Sequence, residues 1–438
     1  MVSGDLEPKP EETAILSADE VAAGWRLACR ATADRECTLE IAQFEAAILA
    51  DHSHFRFTPR AGLGVAVDLG TTTVVAQLLD LQTAHVLGVR TALNPQAAHG
   101  ADIMSRIQYV LQGGDLTTPI RECIAGLIAS LGPAEQPDVV LVGNTVMHHL
   151  FCGMDVRPLS HYPFETPHLE RATVELHDGT TVQFLPNLGS FVGSDILAGI
   201  VATGIHESDE VAALIDLGTN GEIVVGNRER MLCASTAAGP AFEGGRISSG
   251  MRAQTGAISE VVIEDGRLHC GVIGNAPPRG ICGSGLVDAV AAALDLGLVQ
   301  PSGRLSNGFL ELAPGLALTQ SDIRELQLAK GAIAAGIAIL ARRWGVRVGE
   351  LGRVYLAGAF GNYINRSSAR RIGLLPFPEE MVKPAGNTAL LGAKLALFED
   401  DRSYDRVRAR VEHVPLGSDP EFQESFVSSM LLEPSNGG

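Results

Sequence analysis

At 438 residues, 46% of them hydrophobic, the chain is too long for one ordinary domain and suits two or three with real cores. A formal net charge of −18 argues against a protein whose main work is to grip nucleic acid or an anionic membrane surface. The 49 glycines follow no short period, so they mark tight turns rather than a fibrous or low-complexity chain.

In chain order, residues 1–16 are polar and charged. Ser17-Ala18-Asp19-Glu20 forms a capping box and predicts a short helix to about Cys29. Residues 51–61, polar with His and Pro, predict a connector at a domain boundary. The N-terminus has no apolar run behind a basic start, so no signal peptide is expected. The best apolar helix pattern, residues 331–340, is half a membrane span, and a cytoplasmic protein is the expectation. The seven cysteines are scattered with no C-x-x-C pair. They read as reduced thiols, and no iron–sulfur cluster or zinc site is expected within this chain.

From Leu63 the pattern alternates strand and helix. An apolar strand around residues 64–68 stops at Asp68-Leu69-Gly70-Thr71-Thr72-Thr73 and resumes at Val74. A second apolar β run, residues 138–142, ends at Gly143-Asn144-Thr145, and a helix is expected after Ser194. The opening motif then recurs: Asp216-Leu217-Gly218-Thr219-Asn220-Gly221 again sits between two β runs, 148 residues after its first copy. A repeat at that spacing predicts two homologous lobes rather than a solenoid. Helices are predicted over residues 284–296 and 319–344, the latter opened by a near capping box, Thr319 to Asp322. A buried strand, residues 354–357, runs into Gly358-Ala359-Phe360-Gly361, and residues 386–393 begin a helix rich in small side chains.

A strand–turn–strand hairpin built from Gly and Thr points several N–H and O–H donors at one place, which suits phosphate oxygens. The Asp before each turn can hold Mg²⁺ directly or through water, since a hard cation takes oxygen ligands. One such turn is more often only a turn; two copies at domain spacing point to a shared nucleotide. No G-x-x-x-x-G-K-[ST] occurs, so the site is not a P-loop. Asp195, at the start of a predicted helix, is a candidate to orient or deprotonate an attacking water, with Asn144 a weaker one; the alternative for Asp195 is a helix N-terminal carboxylate. His148 and His149 are adjacent on a predicted helix, about 100° apart, so they read as structural rather than as a metal pair. Arg324, Gln327 and Lys330 share a helix face that could line the base side of a nucleotide or simply meet solvent. Cys282, in a Gly-rich turn, reads as packing.

These motifs resemble the phosphate-1 and phosphate-2 loops of the acetate and sugar kinase, heat-shock chaperone and actin superfamily, and residues 356–361 resemble its adenosine motif. The finer match, carried by residues 92–107, 142–149, 280–286 and 318–333, is to the reductive activators of corrinoid proteins. The resemblance implies an α/β, two-lobed, actin-like (ribonuclease H-like) ATPase fold with an inter-lobe nucleotide cleft. The expected division is a linker with a ferredoxin-like remnant at residues 1–60, a first lobe at 61–207 and a second at 208–438. It implies ATP and Mg²⁺ as cofactors, with Asp68, Asp195 and Asp216 catalytic and Asp68 and Asp216 holding the metal. Gly70, Thr71, Thr72, Thr73, Gly218, Thr219, Asn220, Gly221, Gly358, Ala359, Phe360 and Gly361 would bind nucleotide. Helices after Gly193 and Gly386 would be the inter-lobe hinge. The implied activity is ATP-dependent reduction of a corrinoid protein from Co(II) to Co(I). Around Cys29 the chain resembles the fourth cluster cysteine of vertebrate-type ferredoxins, but the three earlier ones are missing. A separate ferredoxin or other low-potential donor is therefore expected as partner, beside the corrinoid protein, with the chain a homodimer. A small-molecule kinase and a nucleotide-gated binding protein stay open as alternatives.

Overall fold

The computed structural model describes residues 55–433, apart from 101, 219 and 401. The expected first helix and Cys29 lie outside the described residues.

The first half builds one six-stranded sheet. Strands β1 (Leu63–Leu69), β2 (Thr73–Asp80) and β3 (Val86–Leu93) form an antiparallel meander, followed by helices α1 (Ile103–Leu111) and α2 (Thr117–Leu131). Strand β4 (Asp138–Gly143) returns parallel to β1 and leads into α3 (Thr145–Cys152). Strands β5 (Ala172–Glu175) and β6 (Thr181–Phe184) complete the order β3-β2-β1-β4-β6-β5, and α4 (Ser194–Thr203) leaves the sheet.

The second half repeats that plan. Strands β7 (Ala212–Leu217), β8 (Gly221–Gly226) and β9 (Met231–Thr236) make the same antiparallel meander. An insertion follows, with strands β10 (Ala257–Glu264), β11 (Arg267–Val272) and β12 (Gly280–Ile281), helix α5 (Gly283–Asp295), and the hairpin β13 (Phe309–Ala313) and β14 (Leu316–Thr319). The long helix α6 (Gln320–Trp344) opens on the predicted capping box, Thr319 with Asp322. Strand β15 (Arg353–Ala357) then lies parallel to β7, as β4 does to β1, and runs into α7 (Gly358–Tyr363) and α8 (Arg366–Arg371). Strand β16 (Val382–Gly386) pairs parallel with β15 and feeds α9 (Thr388–Ala396), the counterpart of α4. Helix α10 (Ser403–Arg408), strand β17 (Val411–His413) and helix α11 (Phe422–Ser428) finish the described chain, giving the sheet order β16-β15-β7-β8-β9-β17.

Side-chain alternation explains how the halves join. Along β1, Val65, Val67 and Leu69 point into the first half's own core, and along β7, Ala213, Ile215 and Leu217 do the same in the second. The opposite faces, Ala66 in β1 and Ala212 and Leu214 in β7, enter a shared core with α4 and α9. Asp68 and Asp216 fall on that shared face by the same alternation, at the last positions before each strand ends. Each half therefore sends one carboxylate toward the middle, beyond the point where apolar packing stops.

Among the described residues, no helix is long and apolar enough to cross a membrane.

Candidate functional site

The two turns and their flanks line one cleft of about 240 Å³. Asp68, Gly70, Thr71, Thr72 and Thr73 come from the first hairpin, and Asp216, Gly218 and Asn220 from the second. Asp195 and Asn144 enter from the ends of α4 and β4, and Gly358 and Phe360 from α7. Thr219 lies outside the described residues. Gly221 does not line the cleft: it is buried where Ile333 of α6 presses on β8. Gly361 packs against Leu356 behind the cleft, and Ala359 sits between Gly358 and Phe360 in α7.

Local chemistry fixes each group. Gly193 starts α4 hard against the end of β4, where a Cβ would fall 2.1 Å from the Gly143 carbonyl oxygen. The Ser194 hydroxyl closes the same junction, accepting from Gly143 N–H at 3.1 Å and lying 3.2 Å from its carbonyl. Asp195 is thereby held in the first turn of α4 at the cleft floor. Asn144 caps α3 by accepting from Met147 N–H, and its amide donates to Thr71 Oγ1 at 3.0 Å. Asn387, the cap of α9, donates to Asp68 Oδ2 at 2.9 Å. Gly358 adopts φ of 82°, a conformation that favours glycine, and a Cβ there would lie 2.6 Å from Asp216 Oδ1. The strand-to-helix turn of the adenosine-like motif is thus pressed against the second carboxylate.

The cleft floor is overloaded with negative charge. Burial pushes the carboxyl of Asp68 up to about 6, that of Asp216 to about 7 and that of Asp195 to about 8. Neighbouring acids add to the shift at Asp216 and Asp195, while the Asn387 amide holds Asp68 back. Glu222, not singled out from the sequence, lines the same cleft, and its carboxyl is raised well above the usual range by burial and by Asp195 and Asp216. The register accounts for its place: Glu222 of β8 is the cross-strand partner of Asp216, and Ser235 of β9 donates to its Oε1 at 3.2 Å. None of the four acids pairs with a Lys or Arg among the described residues. Acids kept this close without a basic partner fit a divalent cation. Among the described residues, no three His, Cys, Asp or Glu side chains are arranged to hold a metal ion by themselves.

On the opposite wall Phe242 stacks on Phe360, centroids 4.7 Å apart and 21° between planes. Cys282 is almost fully buried yet borders the cleft, its Sγ 3.3 Å from Ser284 Oγ. No periodic signal in the sequence pointed to Phe242; Glu222 could have been found by counting the antiparallel register outward from Asp216.

Two readings of helix faces change. Gln327 and Lys330 neither line the cleft nor meet solvent. Gln327 donates to the carbonyls of Met430 and Ser302, and Lys330 donates to the carbonyl of Leu431 at 2.7 Å. They anchor the end of the described chain, which buries Leu432, while Arg324 alone of the three is exposed. No local signal marked these roles, because the tail they hold has no periodicity. His148 and His149 are fully buried in α3; His149 bridges the Thr145 carbonyl and Thr166 Oγ1, each at 2.8 Å. His148 packs edge-on to Phe184 and is held neutral by burial, its pKa lowered to about 3.

Comparison with known families matches residues 63–208 to the RACo middle region and 210–437 to the C-terminal domain of RACo, the ASKHA domain. The chain belongs to the RACo family. The fold is accordingly the actin-like ASKHA fold. Among RACo-type relatives, a protein described as corrinoid activation enzyme RamQ, from Eubacterium limosum, is 35% identical over 84% of this chain and 70% of its own. The [Co(II) methylated amine-specific corrinoid protein] reductase of Methanosarcina barkeri is 27% identical over 84% of this chain and 76% of its own. A solved reductive activator for corrinoid, iron–sulfur protein superposes with a TM-score of 0.75 at 34% identity, covering 86% of this chain and 67% of that one.

Proposed function

We propose that this chain is an ATP-hydrolysing activator that drives the Co(II) to Co(I) reduction of a corrinoid protein. The observation that carries the reading is the convergence, at one cleft, of Asp68 and Asp216 from the two copies of a hairpin, with Asp195 between the halves. Membership of the RACo family, whose named relatives act on corrinoid proteins, supplies the partner.

In this reading Thr71, Thr72, Thr73, Gly218 and Asn220 receive the phosphates through backbone N–H and hydroxyl donors. Asp68 and Asp216 would hold Mg²⁺, which when bound would supply positive charge to offset that of the phosphates. Asp195, fixed at the start of α4, orients the attacking water and, in its ionised form, takes up its proton. Gly358 and Phe360 border the nucleoside. The gain comes from positioning and electrostatics rather than a covalent step. ATP and water become ADP and phosphate, and the accompanying movement of the two halves is spent on the partner. The electron for Co(II) comes from a low-potential donor such as a ferredoxin, and the chain works as a homodimer in the cytoplasm.

The test follows the Co(I) absorbance of a candidate corrinoid protein with a low-potential ferredoxin, with and without ATP. Reduction that requires ATP, with hydrolysis stimulated by the Co(II) partner, is expected, since linkage makes such stimulation reciprocal in binding. ATP-independent reduction would move the assignment to a small-molecule kinase.

A further inference from the structure

Arg106 is one of the largest side chains with no exposure at all, and its partners are unusual for a buried cation. Its Nη2 donates to the Thr71 carbonyl at 2.6 Å, its Nε to the Gly100 carbonyl at 3.0 Å and its Nη1 to Gln96 Oε1 at 3.4 Å. The Met147 sulfur lies 3.6 Å from Nη1. Every one of these partners is neutral, and no carboxylate sits within ion-pair distance of Arg106 among the described residues. A buried guanidinium without a direct ion pair is costly; burial lowers its pKa to about 10 while the charge of nearby Asp102 opposes that shift, so it stays charged at neutral pH.

The geometry says where the compensating charge belongs. A trans peptide is planar, with its C=O and N–H pointing in opposite directions. The Thr71 carbonyl points back at Arg106, so the N–H of Thr72, in the same peptide, points away from it. Beside it, Asn94 Nδ2 takes the Gly70 carbonyl at 2.9 Å, which sends the Thr71 N–H the same way. Asn94 N–H also holds the Thr72 carbonyl at 2.8 Å. Thr71 and Thr72 both line the cleft. The turn's carbonyls are thus tied from behind, and its amides are left facing the cleft with a positive charge at their backs.

We infer that Arg106 is a positioning residue for the phosphate chain: through the Thr71 carbonyl it locks the first turn with its amides toward the anion and polarises them. The inference rests on the reading of the cleft as a nucleotide site. Asp102 compensates Arg106 only at a distance, and the nucleotide's phosphate charge adds to that compensation across one peptide unit. Among the described residues, no arginine or lysine is bonded to a carbonyl of the second turn; a carboxylate, Glu222, stands beside it instead.

The test compares binding of ATP with Mg²⁺ and of adenosine, by calorimetry, in wild type, Arg106→Met and Arg106→Lys. Arg106→Met keeps the length and removes the charge. It should weaken ATP about tenfold or more and leave adenosine within about twofold, because only the phosphates feel the charge. Arg106→Lys, which keeps the charge and loses the fork, should fall between. Equal loss of ATP and adenosine, or wild-type ATP affinity in Arg106→Met, would overturn the inference. So would the absence of a cooperative melt in both variants, which would make Arg106 scaffold. Wild-type protein that binds no ATP would instead remove the underlying nucleotide reading.

Discussion

The two hairpins are copies in backbone but differ in the charged groups set against their turns. Both run strand, Asp, Leu, Gly turn, strand, and both belong to sheets in which five strands share one pairing order, the sixth being added at opposite edges. Yet the residue across from Asp68 is Val75, buried in the shared core, whereas the residue across from Asp216 is Glu222. Behind the first turn stands a buried arginine; beside the second stands an added acid. A doubled motif therefore need not do one job twice. In this cleft each copy sends one Asp to the floor, but only the first turn has a buried arginine bonded to its carbonyl and only the second has a further acid across from its Asp.

The strongest way to break that comparison is to remove the acids singly. Asp216→Asn should lower ATP turnover by about 10²- to 10³-fold, and Asp68→Asn by a similar or smaller factor, by analogy with other lost electrostatic groups. Both should melt at or above the wild-type temperature, because each relieves crowding of like charge. Turnover close to wild type in either, measured as phosphate release, would remove that Asp from the catalytic set.

Glu222→Gln sharpens the comparison, since the first hairpin has no such residue. Turnover should fall about tenfold, with weaker Mn²⁺ binding by electron paramagnetic resonance and little change in adenosine binding. Unchanged Mn²⁺ affinity would make Glu222 a structural acid only.

The raised carboxyls make apoprotein stability depend on pH in a stated direction. Their folded pKa values, about 6, 7 and 8, lie above the ordinary carboxylate value, so the folded chain binds more protons than the unfolded one between about pH 4 and 8. This contribution is fully present at low pH and is lost as pH rises through that window. Melting temperature should therefore carry a falling component from pH 5 to 8 that Mg²⁺ with nucleotide reduces. Asp216→Asn should flatten the slope more than Asp68→Asn, since Asp216 has the higher pKa. A steeper slope in Asp216→Asn would contradict that order.

The smallest expected effects separate the two crossing helices. A Cβ on Gly392 of α9 would lie 2.3 Å from the Ala198 carbonyl, which is backbone and cannot step aside. One on Gly199 of α4 would meet the Leu214 side chain at 2.8 Å and Thr388 Oγ1 at 3.0 Å, which can shift. Gly392→Ala should cost about 1–3 kcal/mol by denaturant melts and Gly199→Ala less. The reverse order would mean that α4, not α9, sets the closeness of the crossing.

Much of this was legible in the residues. The D-L-G-T repeat named both hairpins and their acids, and period-two alternation put Asp68 and Asp216 on a common face. The capping box from Thr319 to Asp322 marked the start of α6 correctly. What stayed hidden depends on distant pairing. Arg106 is drawn to Thr71 across 35 positions, and Gln327 and Lys330 reach a tail about a hundred residues away. Strands β12 to β14 are only two to five residues long, so local pattern could not separate them from loop. Glu222 was readable in principle, since the turn length fixes the register that sets it opposite Asp216.

The central claim, a nucleotide held between two copies of one turn with magnesium beside the Asp68 and Asp216 carboxylates, is tested most directly by calorimetric titration. A nonhydrolysable ATP analogue is added to wild type, Asp68→Asn and Asp216→Asn, with and without Mg²⁺. One site per chain, tightened by Mg²⁺ in wild type and much less so in either variant, is the predicted result. No binding heat in the presence of Mg²⁺, or binding indifferent both to the metal and to the two substitutions, would contradict it.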